Sequence, residues 1–148
     1  MYRRIAYAAA ALLVGLVTLV VAPTPASAAP TPENDHAVAA TVDDVIYCWS
    51  IAGAKACYEY DGDKWWVQDT ASDGMSAVAD WRNYLTANGD LYRQGKCINS
   101  LGYGDWGVCN KNYYETSKLI MRVCVIDYSD GGSVCSGWVT VQAGIIEA

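Results

Sequence analysis

Apolar and aromatic residues are concentrated on the two sides of Asp61-Gly62. The flanking segments, 55–60 (KACYEY) and 64–69 (KWWVQD), are rich in Tyr, Trp and Val, which suit a pleated, half-buried strand. An Asp-Gly pair between two such segments favours a β-hairpin, because these residues accept the positive φ angles of a type I′ turn. We therefore place this hairpin at the centre of the domain.

The rest of the chain repeats the pattern in short segments that are separated by turn residues. The segment 76–85 (SAVADWRNYL) also satisfies helical spacing, but it follows Asp73-Gly74 and lies between two strand signals, so we assign it to a strand. Eight short strands with frequent turns predict an all-β fold, either an antiparallel β-sandwich or a small barrel. The eight predicted strands are 45–50, 55–60, 64–69, 76–85, 91–100, 106–110, 118–127 and 134–142.

Six cysteines lie within these segments. Their even number in a small chain predicts three disulfides rather than a metal site, because no two of them have C-x-x-C spacing and the chain has one histidine. Each neighbouring pair brackets a turn, so we expect every bridge to clip one hairpin and the strand 106–110 to pair with the strand before it. The predicted bridges are Cys48–Cys57, Cys97–Cys109 and Cys124–Cys135.

The amino-terminal residues have the composition of a secretory signal peptide. Arg3 and Arg4 precede the apolar run 5–22, and Ala26-Ser27-Ala28 follows a proline-rich step. This order predicts cleavage after Ala28. We expect the protein to be secreted and to have no membrane segment once residues 1–28 are removed.

The segment 29–41 is predicted to be a flexible leader, because it carries two prolines near its start and small or charged side chains. It contains His36, the only histidine. The residues from 42 to 148 are then expected to form a single β domain. Two of the ten lysines and arginines lie in the predicted signal peptide. After cleavage the chain would therefore carry eight basic and 16 acidic residues. This acidic balance argues against nucleic-acid binding, which depends on clustered basic side chains.

Carboxylates are frequent around the central hairpin, but most fit turns better than catalysis. Asp-Gly steps make turns, and no histidine outside the leader can serve a nucleophile. An irregular Ca²⁺ loop is the open alternative, although EF-hand spacing is not met. We expect no enzymatic activity, no catalytic residues and no cofactor. The carboxylates considered are Glu59, Asp61, Asp63, Asp69, Asp73 and Asp80.

The aromatic residues are the strongest positive indication of a function. The chain has six Trp and eleven Tyr and no Phe, and both Trp and Tyr suit half-exposed surfaces and interfaces. Trp65 and Trp66 are adjacent in a strand, so one is expected to fill the core and the other to face outward. The alternative is that all these rings are core residues. The predicted binding residues are Tyr58, Tyr60, Trp65, Trp66, Tyr103 and Trp106.

The pattern G-D-x-W-W-V-x-D-x-x-x-D-G-x-S-A, at 62–77, resembles one found in small exported proteins of filamentous actinobacteria. Later features are similar as well, at Gly95-x-Cys97, Gly104-x-Trp106-x-x-Cys109, Arg122-x-Cys124 and Cys135-Ser136. Such proteins are described as secreted and of unknown function. The resemblance implies a location and a fold class, and it transfers no catalytic residue.

Taken together, these features predict a secreted, monomeric, non-enzymatic module. We expect its aromatic residues to bind a polysaccharide, the cell wall or an extracellular protein. An alternative is an inhibitor of a secreted hydrolase that uses the loop 102–106, inside the predicted Cys97–Cys109 bridge. A third hypothesis is a surface-associated structural protein that assembles with itself.

Overall fold

The computed structural model describes residues 28–43, 47–86 and 89–143. The predicted signal peptide lies outside these residues except for Ala28. Nowhere in the described ranges is there a helix long and apolar enough to cross a membrane. Eleven strands account for the regular structure: β1 Glu33–His36, β2 Val38–Ala39, β3 Tyr47–Ile51, β4 Ala54–Glu59, β5 Lys64–Asp69, β6 Ser76–Tyr84, β7 Leu91–Asn99, β8 Trp106–Asn110, β9 Lys118–Ile126, β10 Ser133–Cys135 and β11 Val139–Gln142.

The strands form two sheets, which confirms the predicted all-β sandwich over the barrel alternative. Sheet A has the order β1-β7-β6-β9, and both β10 and β11 pair with the free edge of β9. Sheet B has the order β2-β8-β5-β4-β3. All eight predicted strands are present, but the last one divides into β10 and β11 around Gly137-Trp138. Neighbouring strands pair antiparallel except for β1, which runs parallel to β7.

The central hairpin is confirmed, although its turn is longer than predicted. Strands β4 and β5 pair from Ala54↔Asp69 to Glu59↔Lys64, which leaves residues 60–63 as the loop. Positive φ angles fall on Gly62 (87°) and Asp63 (52°), so a two-residue type I′ turn at Asp61-Gly62 is not what forms. The side chain of Asp63 stabilises this loop from inside the protein, as described below.

An aromatic cluster fills the space between the sheets. The ring centroids of Trp65 (β5) and Trp81 (β6) lie 6.5 Å apart with nearly parallel planes, and Tyr113 packs edge-on against Trp81 at 5.3 Å. Tyr58 completes the cluster at 4.6 Å from Trp65. Each such pair adds about 0.5–1.5 kcal/mol to the stabilisation from burial alone. Strand β6 contributes alternate residues to this core, as its assignment to a strand requires.

The three disulfides join the predicted cysteines. Cys48–Cys57 and Cys124–Cys135 connect residues that lie directly opposite each other in antiparallel strand pairs. Cys97–Cys109 instead links β7 of sheet A to β8 of sheet B. The expectation that β8 pairs with β7 is therefore wrong: β8 pairs with β5 and β2. This bridge holds the two sheets together instead of clipping one hairpin.

The segment 29–41 contains two strands, so the prediction of a flexible leader is corrected. Strand β1 adds to the edge of β7, and β2 pairs with β8 in the other sheet. Ala37 lies buried between them, and its N–H donates to the carbonyl of Ile98 at 2.8 Å. Main-chain pairing and ion pairs, rather than bulky apolar side chains, hold this segment.

Candidate binding surface

Two of the predicted binding residues are core residues, which corrects their assignment to a surface. Tyr58 and Trp65 are 1% and 0% exposed. The hydroxyl of Tyr58 donates to Asp63 and contacts Gln142 Oε1 at 3.1 Å, and Trp65 Nε1–H donates to the hydroxyl of Tyr113 at 2.9 Å. Burial, followed by the bond to Asp63, raises the pKa of Tyr58 well above its usual value. These polar tips are fully engaged, so neither ring can contact a ligand.

Trp66 faces away from the core, as the alternation predicts, but its ring is only 7% exposed. Its lateral neighbours on the outer face of sheet B are the Cys48–Cys57 bridge and Val108, and its Nε1–H donates to Glu59 Oε2 at 2.7 Å. The expectation of one freely exposed tryptophan in this pair is therefore wrong. Trp66 instead forms part of the wall of a hollow of about 310 Å³.

Glu59 at this hollow is held by a cation as well as by the indole. Lys64 Nζ lies 2.7 Å from Glu59 Oε1, and this hydrogen bond, with a weaker one from Trp66, lowers the pKa of the carboxyl. Trp106 lies on the same sheet, half-buried, with Lys55 Nζ 5.4 Å from its ring centroid. Both oxygens of Glu59 thus have partners within the protein.

Tyr60 belongs to a different group of aromatic residues at one end of the sandwich. We call Tyr60, Tyr92 and Tyr114 the tyrosine surface; their exposed fractions are 48%, 42% and 58%. The rings of Tyr92 and Tyr114 lie 5.7 Å apart, and a hydrogen bond between their hydroxyls raises the pKa of Tyr92. Tyr60 is hydrogen-bonded to Glu115, the neighbour of Tyr114, which raises the pKa of Tyr60. The three phenols therefore lie close to one another at this end, with Tyr92 and Tyr114 paired directly and Tyr60 beside the chain neighbour of Tyr114.

A hollow of about 280 Å³ lies beside the Tyr92–Tyr114 pair, and Arg93 and Tyr113 line it together with Asn112. The guanidinium of Arg93 is fixed on several sides. Its Nε and Nη2 lie 2.7 Å and 2.8 Å from the two carboxylate oxygens of Glu33, and its Nη1 donates to the carbonyl of Asn112. The guanidinium carbon also lies 5.0 Å from the centroid of Tyr113. Two of the side chains that line the hollow, Arg93 and Tyr113, are consequently held in place.

Glu33 anchors this arrangement from strand β1. The hydrogen bond from Arg93 lowers the pKa of Glu33 to about 2, and Lys111, 3.0 Å away, acts in the same direction against the effect of burial. Lys111 is nearly buried and also pairs with Asp35. The carboxylate is therefore ionised at neutral pH, and the anchor is in place whenever β1 is paired with β7.

Tyr103 lies at the opposite end of the sandwich, on the loop between β7 and β8. The loop is fixed by Asn99, a fully buried residue whose amide donates to the carbonyls of Val67 at 2.7 Å and Asp105 at 2.9 Å. The N–H of Gly104 donates to the carbonyl of Asp69 at 2.9 Å. Tyr103 itself is 65% exposed. The loop thus presents one aromatic side chain from a constrained backbone.

The carboxylates of the central hairpin are divided between the two ends of β5. Asp63 is buried in the 60–63 loop, where it accepts hydrogen bonds from the hydroxyl of Tyr58 and, at 2.8 Å, from the N–H of Tyr113. Asp69 and Asp73 lie at the other end and accept from main-chain N–H groups two residues ahead. Across the ranges that the structure describes, no three carboxylate, histidine or cysteine groups gather to hold a metal ion. These aspartates act as structural residues of loops.

The sequence-based reasoning missed Tyr92, Tyr114 and Arg93. The Tyr113-Tyr114 pair in a segment without strand pattern was the available signal, since large aromatics in loops are often placed for contact or for covering a core. Its meaning depends on Tyr92 and Arg93, which are more than 15 residues away in the chain. Only the fold brings these groups together.

Comparisons with known proteins add no relative. No protein-family model matches the chain, and neither a curated protein nor a solved structure matches it significantly. The exposed side chains and their surroundings are therefore the basis for assigning a function.

Proposed function

We propose that the protein is a secreted, non-enzymatic module that binds an extracellular protein through the tyrosine surface. The three disulfides indicate an oxidising environment. The signal-peptide pattern at 1–28 and the resemblance to exported actinobacterial proteins support secretion. The proposal contains no catalytic step and requires no cofactor.

The observation that carries the proposal is the exposed Tyr92–Tyr114 pair beside a hollow lined by Arg93. Tyr and Arg are enriched among the residues that dominate binding energy at protein interfaces. A Tyr side chain offers a large rigid contact area with few rotatable bonds, so its ordering on binding costs little. The fixed guanidinium and the paired rings lower this cost further, because they already hold one arrangement.

A protein partner fits this surface better than a glycan. The stacking of sugar rings was predicted for Trp65 or Trp66, and both are buried. The tyrosine surface instead combines three phenol hydroxyls, an apolar ring pair and a hollow of about 280 Å³. Such a mixture of hydrogen-bonding and apolar groups can receive a protruding side chain of a partner.

Site-specific photocross-linking tests the proposal. A photoreactive phenylalanine analogue replaces Tyr114 in one variant and Tyr103, the similarly exposed residue at the other end, in a second. Each purified variant is irradiated with the extracellular proteins of the producing organism. We expect one saturable adduct at position 114 that unlabelled wild-type protein competes away, and no equivalent adduct at position 103. If the adduct that wild-type protein competes away forms only at position 103, the tyrosine surface is not the binding site.

The second candidate function is inhibition of a secreted hydrolase by the loop between β7 and β8, here residues 101–105, because Trp106 of the predicted loop 102–106 is the first residue of β8. The observation that favours it is the constrained backbone around Tyr103, since a rigid exposed loop binds a cleft at a low ordering cost. Residual activity of serine, cysteine and metallo-hydrolases is measured with increasing amounts of the oxidised protein. Inhibition that is lost in Tyr103→Ala and retained in Tyr114→Ala would support this function over the first.

A further inference from the structure

Sheet A has a strongly basic outer face in a protein that is acidic overall. Trp81 and Asn83 on β6 and Leu119 and Met121 on β9 are buried between the sheets, so the residues that alternate with them face outward. These outward positions hold cations on three adjacent strands. We call them the basic face: Arg82 on β6, Lys96 on β7, and Lys118 and Arg122 on β9.

Arg82 lies at the centre of the basic face. Its direct partners across the strand pairs are Gln94 and Ile120. The other three cations are therefore its diagonal neighbours: Lys96 on one side, and Lys118 and Arg122 on the other. Diagonal neighbours on one face of a sheet lie about 7–8 Å apart, within reach of long side chains.

The charges on this face are poorly compensated. The three strands β6, β7 and β9 contain one acidic residue, Asp80. Its Oδ2 lies 2.7–2.8 Å from Arg122. Among the described residues, Arg82, Lys96 and Lys118 have no carboxylate within ion-pair distance, and Arg82 donates no hydrogen bond. The basic face thus holds four of the eight lysines and arginines that follow the predicted signal peptide, and its strands supply one carboxylate to balance them.

Trp138, from the segment between β10 and β11, organises the two arginines. The guanidinium carbons of Arg82 and Arg122 lie 4.5 Å and 4.7 Å from its ring centroid. Contact with a ring face leaves the N–H groups at the edge of a guanidinium free to donate. Arg82 therefore presents a fixed, unoccupied set of donors with the geometry that a carboxylate matches.

We propose that the basic face binds an acidic polysaccharide, a sugar polymer that carries carboxylate groups. Neighbouring cations on one sheet face repel one another, so a polyanion gains attraction from each cation that it neutralises. The signal-peptide pattern and the three disulfides favour an extracellular polyanion over nucleic acid. The diagonal spacing of the cations over three strands suits an extended polymer that carries a carboxylate on successive sugar units.

Affinity measurements with polygalacturonate test the inference on the oxidised protein. We expect binding at low ionic strength that weakens as salt rises, with quenching of Trp fluorescence as ligand covers Trp138. Arg82→Gln should weaken binding about tenfold or more, the loss of a charge-assisted bidentate contact, and Arg82→Lys should recover only part of it. The matched control is Lys55→Gln, which removes a cation that also lies over an indole, but on sheet B; we expect its affinity to stay within about twofold of wild type.

Several outcomes would overturn the assignment. These are no binding to polygalacturonate at low ionic strength, equal losses in Arg82→Gln and Lys55→Gln, or equally tight binding to inorganic polyphosphate, which would show attraction to charge alone. Self-association that Arg82→Gln abolishes would show that the face pairs with a second, acidic copy of the chain instead. Near-UV circular dichroism verifies that each variant is folded, and Lys96→Gln supplies an independent second variant. Tyr92→Ala should bind polygalacturonate like wild type, so this test and that of the tyrosine surface fail separately.

Discussion

Gly95 on β7 lies directly opposite Glu33 of strand β1 and leaves no room for a side chain. A Cβ atom at this residue would lie 1.9 Å from the carbonyl oxygen of Glu33 and 2.8 Å from Cζ2 of Trp81. One neighbour is the main chain of β1 and the other is a core ring, so neither can move aside cheaply. Gly95→Ala therefore has to displace β1 from β7.

We expect Gly95→Ala to reduce the free energy of unfolding by about 3 kcal/mol, the sum of an overpacked core and weakened β1–β7 hydrogen bonds. For a domain of this size the melting temperature should fall by roughly 10 °C. Denaturant unfolding of the oxidised protein measures the change, and hydrogen exchange at the Ala37 amide, which donates to Ile98, should accelerate. The matched control is Gly137→Ala, because nothing lies within 4 Å of a Cβ there; its effect should stay within about 0.5 kcal/mol. A loss below about 1 kcal/mol in Gly95→Ala would refute the docking of β1.

Three further variants test the interior. Glu33→Gln should cost about 1–2 kcal/mol at neutral pH after allowance for solvent screening. Because folding lowers the pKa of Glu33 from 4.5 to about 2, this stabilisation is present above pH 4.5 and is lost as the pH falls through 2. The difference in free energy of unfolding between wild type and Glu33→Gln should therefore disappear over that pH range in acid unfolding experiments. In Asp63→Asn the asparagine can adopt the positive φ angle, but its NH2 group faces a hydrogen-bond donor, either the Tyr58 hydroxyl or the Tyr113 N–H. We expect the free energy of unfolding, measured with denaturant, to fall by about 1–3 kcal/mol. Asn99→Ala removes the hydrogen bonds that hold the 101–105 loop, and proteolysis within that loop should become faster while a parallel Tyr103→Ala variant is cleaved as slowly as wild type.

The central hairpin and the disulfide pairs could be predicted because their signals are local. Aromatic and apolar residues of β4 and β5 flank an Asp-Gly step, and each cysteine pair lies 9 to 12 residues apart. The same local signals could not predict that Cys97–Cys109 joins the two sheets. The partner of β8 is β5, which lies about 40 residues earlier, and no local pattern distinguishes it from β7.

Strand β1 and the tyrosine surface depend on contacts between distant parts of the chain. The β1 sequence ENDH has no apolar periodicity, and its side-chain contacts are with Arg93 and Lys111, 60 and 78 residues away. The alternation of Trp65 and Trp66 was predictable, but the cover over the outward ring is formed by neighbouring strands. Burial of that ring is a property of the sheet, which a single strand pattern does not contain.

The central claim is tested most directly on the partner that photocross-linking identifies. This partner is purified by itself, and its affinity is measured for two tyrosine variants. Tyr92→Ala removes one ring of the tyrosine surface, whereas Tyr128→Ala removes an exposed ring from the turn between β9 and β10. We predict that Tyr92→Ala raises the dissociation constant about tenfold or more, as for an interface residue that dominates binding. Tyr128→Ala should leave it within about twofold of wild type. Wild-type affinity in Tyr92→Ala, or equal losses in both variants, would contradict the account.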